Sequence, residues 1–487
     1  MDKIKKSNIL ILISTLLYFL AFCFNVNYPL VTILLLLFIG IINFTFFFKQ
    51  ENTLISIPGI FSIIWFFSLA LSQLRLNINQ IPFLARTWFI LWITYFALIS
   101  GYQYFSKRKF NIKSKNVNWN VDRLLNLIIC LFLVVVLFFI IEWVVAGELP
   151  IFSNNPNSYL TFSISGLHYF VVSCILIPPA SLIYIVKTKC KNKKELFLLL
   201  LMSLICFSIP ILIVSRQLLL LEIIITFFVL IFLYPKLEFK LLVPIIAIAL
   251  IAFALLSMGR NQNNDYLNFV FNSQNNYTAH YLNSSFQLTE KEMNIYNKLY
   301  GEFDNYTRII LNNLPMSIYQ IYMYISFNFD NFNYTVASLN FMTFGIKTFY
   351  PIIALTGLRF IFPFVDHLSI ENYLTTFNTA PICFSTFVDY REIGIIIYMF
   401  ILGSISSKIN IKKNDSPMGM IIYSLFCYSM MFSFFTNFFA NVTIFFYFIL
   451  IFVGSDFIKH PHRKIYNYFD RLLISKIENI WRFITNG

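Results

Sequence analysis

Charged side chains are scarce in this sequence. Asp, Glu, Lys and Arg together make up 12% of its 487 residues, against 58% hydrophobic ones, whereas a soluble domain carries about 25% charge. That scarcity excludes water as the main solvent. Acids are scarcer than bases, 22 against 36, but no basic stripe alternates with stacking aromatics, so nucleic acid is not an expected partner. Cysteines number seven. Cys23, Cys130, Cys174, Cys206 and Cys427 fall in apolar runs, Cys190 in a basic loop, and Cys383 alone on the opposite side, which leaves neither a disulfide framework nor zinc spacing. There is no Ser-His-Asp pattern, no His-Glu-x-x-His and no Gly-rich phosphate loop, against a hydrolase, a metalloprotease or a nucleotide-driven pump. No compact Asp-x-Asp occurs in the outer loops, so no metal and no cofactor is implied. Internal repeats are missing too, which weakens a transporter reading.

Present instead are apolar runs about 20 residues long, the length that crosses a hydrocarbon core of about 30 Å. Mean hydropathy is +0.72. The runs predict an all-α polytopic membrane protein of about twelve spans, near 8–25, 29–48, 55–73, 82–105, 124–146, 165–186, 195–213, 216–234, 241–259, 388–407, 417–435 and 439–455. The first lacks an Ala-x-Ala cleavage site and is expected to be retained. Basic clusters at Lys3 to Lys6, Lys107 to Lys115, Lys187 to Lys194, Lys236 and Lys240, Lys408 to Lys413 and Lys459 to Arg482 mark the cytoplasmic side, as the positive-inside rule requires. The expected organisation is a nine-span bundle over 1–259, a large outer loop over 260–386, three spans over 387–456 and a basic cytoplasmic tail over 457–487. Within the loop, Pro315 to Phe327 reads as an interfacial amphipathic helix. Leu339 to Val365 is apolar but broken by Gly345, Lys347, Pro351, Gly357, Arg359 and Pro363, and reads as re-entrant or surface-lying. A loop this long is expected to carry function.

Ionisable residues at the ends of spans are costly and are functional candidates by default. Arg216, in Ser215-Arg216-Gln217, and Arg260, after Ser257-Met258-Gly259, sit at outer span ends, where guanidinium forks suit diphosphate oxygens. Snorkelling to headgroups is the alternative for Arg216. Arg391 is a third candidate, with Lys347 and Arg359 behind it. Arg86 is expected in a structural ion pair with Glu142 or Glu222. His168, His280 and His367 lie on the outer side and are candidate bases.

Asn378-Thr379-Ala380-Pro381 through Asp389-Tyr390-Arg391-Glu392-Ile393-Gly394, leading into a late span, resembles the signature of the Wzy-type O-antigen polymerases. That family reads Asn-x-x-Thr, an aromatic run, then Tyr-x-Asp-Phe-Gly. Here Tyr390 and Gly394 match, Glu392 replaces the Asp, and Pro381 stands where the family often has Thr. Gly147-Glu148-Leu149-Pro150-Ile151-Phe152 is similar to the family's Gly-x-x-Pro-Leu/Ile segment, Ser215-Arg216 to its Ser-Arg pair, and Arg260 to its Arg entering the large loop. The resemblance implies a glycosyltransferase of the bacterial inner membrane, acting on the periplasmic face, that moves a growing glycan from undecaprenyl diphosphate onto a new lipid-linked repeat unit. Arg216, Arg260 and Arg391 would then stabilise the departing diphosphate. Glu392 is the first candidate to accept the acceptor proton, with Asp389 and His280 behind it. Tyr390, Asn378, His280 and Lys347 are candidate substrate contacts. Tyr277, Tyr281, Tyr319 and Tyr322 would stack on sugars or anchor the loop at the interface. The implied partners are lipid-linked oligosaccharides, membrane lipids, a Wzz-type chain-length regulator and a Wzx-type flippase.

Two other readings share these features. An O-antigen ligase has a similar bundle and outer loop but transfers glycan to lipid A core. A lipid-linked oligosaccharide flippase would move substrate without forming a bond and usually has symmetric halves.

Overall fold

In a hydrocarbon solvent every backbone N–H and C=O must find its partner within the segment, which leaves helix as the economical solution for this chain. Helix is the only regular structure among the described residues of the computed structural model, which are 2–76, 80–107, 121–153, 158–189, 192–235, 316–362, 364–367 and 379–459. The main helices are α1 (Asp2–Phe24), α2 (Pro29–Glu51), α3 (Ile57–Ser72), α4 (Ala85–Lys107), α5 (Val121–Ala146), α6 (Ile177–Thr188), α7 (Lys193–Leu212), α8 (Arg216–Leu233), α9 (Met316–Ser338), α10 (Cys383–Lys412), α11 (Pro417–Met431) and α12 (Val442–Lys459). Among the described residues seven helical stretches are long and apolar enough to cross a membrane: α2, α5 with its continuation to Phe152, His168–Thr188, α7, α8, α10 and α12. The apolar part of α1 (Ile9–Phe24), α3 and α11 are shorter. The chain is therefore an α-helical membrane protein. The ninth expected span, 241–259, and the expected basic tail beyond Lys459 lie outside the described residues.

The described chain forms two compact units. The first contains α1 to α4, α9, α10 as far as Ser407, and residues 429–441. The second contains α5 to α8, residues 408–428 and α12. These divisions do not follow the expected boundaries at 259 and 386: residues of the expected outer loop fold with the first four helices.

Unit one packs around aromatic rings. Tyr18 stacks on Trp92 at 4.9 Å and meets Trp88 edge-on at 5.3 Å, and its hydroxyl donates to the Trp88 carbonyl at 2.9 Å. Polar contacts knit helices that the hydrophobic effect does not drive together in lipid. Asn43 of α2 donates to Ser14 of α1 at 2.8 Å, and Ser62 of α3 shares a hydrogen bond with Tyr95 of α4 at 2.9 Å. Close backbone approach joins α4 to α10. A Cβ added at Gly101 would lie 2.1 Å from the Phe400 carbonyl oxygen, and one at Gly403 2.0 Å from that of Leu98. Only residues without a side chain permit this crossing, the small-residue packing of membrane helices.

The sequence reading ended an amphipathic helix at Phe327, with its polar side toward water. Instead α9 runs to Ser338, and Ser326, Asn328, Asp330, Asn331, Asn333 and Thr335 are all buried. Two of them, Asp330 and Asn333, pair with the segment that links α3 to α4 and with the first turn of α4. Asn333 Oδ1 accepts from Thr87 Oγ1 at 2.7 Å and from the Leu84 N–H at 3.0 Å. Gln80 donates to Asp330 Oδ2 at 2.9 Å, and Tyr322 donates to Gln80 Oε1 at 2.5 Å while accepting from the Leu76 N–H. Tyr322 is thus a buried structural group and not the sugar platform considered from the sequence.

Burial pushes the Asp330 carboxyl from its ordinary 3.8 up to about 8, against the lowering by Gln80 and Arg75. The folded protein therefore holds a proton that the unfolded chain releases near 3.8, and stability falls as pH rises from about 4 to about 8. The slope for one proton is at most about 1.4 kcal/mol per pH unit. Asp330→Asn is expected to flatten that part of the stability profile, measured as thermal unfolding of the detergent-solubilised chain across this range. An unchanged slope would exclude Asp330 as its source.

In unit two, Glu142 is buried near the end of α5 and accepts from the Ile164 N–H at 3.0 Å, with His168 Nδ1 3.0 Å from its other oxygen. Both oxygens of Glu222 are buried without a hydrogen-bond partner among the described residues. Neither acid pairs with Arg86, contrary to expectation, because Arg86 has a partner elsewhere.

Leu339 to Val365 does not form a spanning helix. It is divided into a loop and the short helices Tyr350–Leu355, Leu358–Ile361 and Phe364–His367, with Gly357 in the left-handed region at φ 78°. Phe344, Phe360 and Ile361 are more than two thirds exposed, a surface that suits lipid and not water.

Candidate functional site

Tyr390, Arg391, Glu392 and Gly394, from the segment that resembles the polymerase signature, lie where α10 breaks. Arg391 interrupts the helix at φ 56°, ψ −148°, a conformation that costs a non-glycine residue about 1–3 kcal/mol and is found where surrounding contacts enforce it. Those contacts are visible. Arg391 Nη2 donates to the carbonyls of Leu339 at 2.9 Å and Phe341 at 3.0 Å, and its guanidinium lies 5.0 Å over the Phe387 ring.

The same ring carries a second guanidinium, that of Arg86 from α4, at 5.5 Å. Phe387 is fully buried and meets Phe332 of α9 edge-on at 5.6 Å, so the platform for both cations is fixed by the core. One carboxylate offsets the two charges: Arg86 Nε donates to Glu392 Oε1 at 2.6 Å. Arg86 is half exposed and Glu392 a quarter exposed. Arg391 Nη1 is buried and has no hydrogen-bond partner among the described residues. An unsatisfied, charged, buried donor is rare in a folded protein and calls for an explanation. The cluster as a whole has a net charge of +1.

Asp389 has a different task from the one considered for it. Its side chain is buried and accepts from Thr343 Oγ1, from the Lys347 N–H at 3.1 Å and from the Thr348 N–H at 2.7 Å. With both oxygens engaged by the loop, it is a structural acceptor and a poor candidate base. The loop must turn tightly to reach it. Phe344 and Gly345 both have positive φ, 47° and 98°, and a Cβ at Gly345 would lie 2.5 Å from the Tyr390 hydroxyl. That turn holds Lys347 at the rim of a cavity of about 410 Å³, lined also by Tyr350, Phe384, Ser385, Asn437 and Asn441. Burial lowers the Lys347 ammonium from its ordinary pKa, and the Asp389 charge works in the opposite direction.

The walls are locked by hydrogen bonds. Asn437 donates to Ser385 Oγ at 2.7 Å and accepts from Tyr398 at 3.1 Å. Thr379 is held by α9, its carbonyl accepting from Asn331 at 2.9 Å and its hydroxyl donating to Asn328.

Of the residues singled out from the sequence, Arg391, Glu392, Tyr390 and Lys347 thus come together. Arg216 belongs to unit two, where it opens α8 behind Ser215, whose side chain accepts from the Leu218 N–H. Arg260, Asn378, His280, Tyr277 and Tyr281 lie outside the described residues, as do the side chains of Tyr319 and His367. Sequence reasoning missed Arg86 as a site residue. It also missed the polar stripe of α9, although the run Asn328-Phe329-Asp330-Asn331-Phe332-Asn333 offered the signal. No family model, curated protein or solved structure matches the chain.

Proposed function

We propose that the chain is a membrane glycosyltransferase that polymerises undecaprenyl-diphosphate-linked repeat units into O-antigen or a related surface polysaccharide. In this reading it crosses the bacterial inner membrane about twelve times and works on the periplasmic face. The observation that carries the reading is the buried Arg391 Nη1, unsatisfied among the described residues, beside Arg86 and on the segment whose residues resemble the polymerase signature. Two guanidiniums fixed on one aromatic ring are preorganised for an anion with several oxygens, and a departing diphosphate is such an anion.

Transfer then proceeds in one balanced step. The acceptor hydroxyl oxygen attacks the anomeric carbon of the donor, the bond from that carbon to the diphosphate oxygen breaks, and the diphosphate leaves with the electron pair to Arg86 and Arg391. As the leaving diphosphate shares the Arg86 charge, Glu392 takes the hydroxyl proton. No nucleotide sugar is needed, because the diphosphate linkage supplies the driving force.

The test is direct. Purified protein mixed with lipid-linked repeat units should yield a ladder of products longer than one unit. Absence of any such product, with folded protein present, would reject polymerisation; transfer of single blocks to lipid A core would assign a ligase instead.

A further inference from the structure

The cavity at the start of α10, about 410 Å³ in volume, falls within the roughly 300–1,000 Å³ of small-molecule pockets. Part of its lining is polar, and there the hydrogen-bond inventory is uneven. Asn437 Oδ1 accepts from Tyr398 at 3.1 Å and from the Phe439 N–H at 3.2 Å, which occupies both of its lone pairs. Its amide nitrogen gives one hydrogen to Ser385 Oγ at 2.7 Å. The second amide hydrogen, the Ser385 hydroxyl hydrogen and the Thr436 hydroxyl have no partner among the described residues. Three donors on neighbouring lining residues are thus open, while the Asn437 acceptor is saturated.

Other lining residues are small and apolar, Ala380, Pro381 and Ala440, and Phe384 adds an aromatic ring. Water or a ligand made only of hydroxyls would leave that apolar surface unmatched. Open donors call for a good acceptor, and small apolar residues beside them call for a group the size of a methyl. An acetamido group carries both: its carbonyl oxygen accepts, and its methyl packs. A pyranose ring bearing it also presents hydroxyls to the rest of the polar lining and a C–H face to an aromatic ring.

The geometry points to this cavity as the seat of an acetamido sugar, its carbonyl accepting from the Ser385, Thr436 and Asn437 donors and its methyl against Ala380, Pro381 and Ala440. The site then selects repeat units that contain a 2-acetamido-2-deoxyhexose. This rests on the polymerase reading for the assignment of the sugar to a repeat unit, but the cavity can be tested by itself. The match draws on no charge in the lining. The donors are also held in place before any ligand arrives, because the bonds from Tyr398 and the Phe439 N–H fix the Asn437 amide and Asn437 in turn fixes Ser385, which lowers the ordering cost of binding.

The experiment is a saturation-transfer NMR titration of the full chain in detergent micelles, with N-acetylglucosamine and N-acetylgalactosamine against glucose and galactose. At least one acetamido sugar is expected to bind about tenfold or more tightly than its parent hexose, the scale of one hydrogen bond and one buried methyl together. Thr436→Val keeps the side-chain shape, removes one open donor and should weaken that sugar about threefold or more. Ala440→Leu fills the apolar side and should abolish the preference. Thermal unfolding checks that each variant is folded, and Thr436→Val carries the test if Ala440→Leu is not. Equal binding of acetamido sugars and parent hexoses, no binding of any sugar, or a preference that survives in the folded variants would each overturn the proposal, the last by placing the sugar elsewhere. A ladder from the wild-type chain alongside any of these results would leave polymerisation standing. Acetamido selectivity without a ladder would leave the cavity assignment standing and remove the polymerase.

Discussion

Polymer formation is expected to fall by about 10²–10³-fold when Arg391 is replaced by glycine, the scale on which removal of one preorganised charge-stabilising donor acts. Glycine is the informative choice. At φ 56°, ψ −148° an alanine would keep the backbone strain and lose the contacts that hold it, mixing a folding defect with a chemical one, whereas glycine relaxes the strain. It still removes Nη1 and the stack on Phe387. The loss of hydrogen bonds to Leu339 and Phe341 costs about 1–3 kcal/mol for bonds to a charged group, partly offset by the relaxed backbone. Thermal unfolding should therefore move little while the initial rate of polymerisation collapses. Arg391→Lys should recover only a minor part, because an ammonium lacks the fork. A variant with normal rates would remove Arg391 from the site, whatever became of the rest of the reading.

Loss of the Asp389 carboxylate should strike the fold before the chemistry. Asp389→Ala leaves the Lys347 and Thr348 N–H groups and the Thr343 hydroxyl without their acceptor, and each buried group left unpaired costs about 1–3 kcal/mol. The sum is expected to exceed about 3 kcal/mol, a large share of a stability of roughly 5–15 kcal/mol. Asp389→Asn should be little better, because the amide nitrogen presents a donor to a backbone donor. The expected readings are a marked drop in unfolding temperature and new proteolytic cleavage within residues 339–349. If both variants stay as stable as the wild type and lose only transfer, Asp389 is acting on the substrate and the structural role assigned here is wrong.

These outcomes bear on how much of the site was legible beforehand. Arg391, Glu392, Tyr390 and Lys347 stood out because polar and charged residues are few and expensive in an apolar chain. The task of each did not. Asp389 and Glu392 are three positions apart and both acidic, yet one is buried beneath a loop and the other faces an arginine; that difference comes from the helix break at Arg391, which no local pattern announces. Arg86 was assigned to the wrong partners for a related reason. Its carboxylate lies 306 positions away, and spacing along the chain carries no information about such a pair.

The sequence by itself determined the class of the protein: long apolar runs interrupted by basic loops can satisfy their backbone in lipid only as helices, and the apolar runs located most of those helices to within a few residues. What the tertiary structure decided was which scarce polar groups meet. Whether α9 turns its Asn and Asp residues to water or inward depends on the presence of Gln80, Thr87 and Thr379 at matching heights. Whether two guanidiniums share a ring depends on how closely α4 and α10 approach, set by Gly101 and Gly403. Hydrogen bonds and close packing reach only a few ångströms, so they are settled by the arrangement of helices in space, while hydrophobic length is settled residue by residue along the chain.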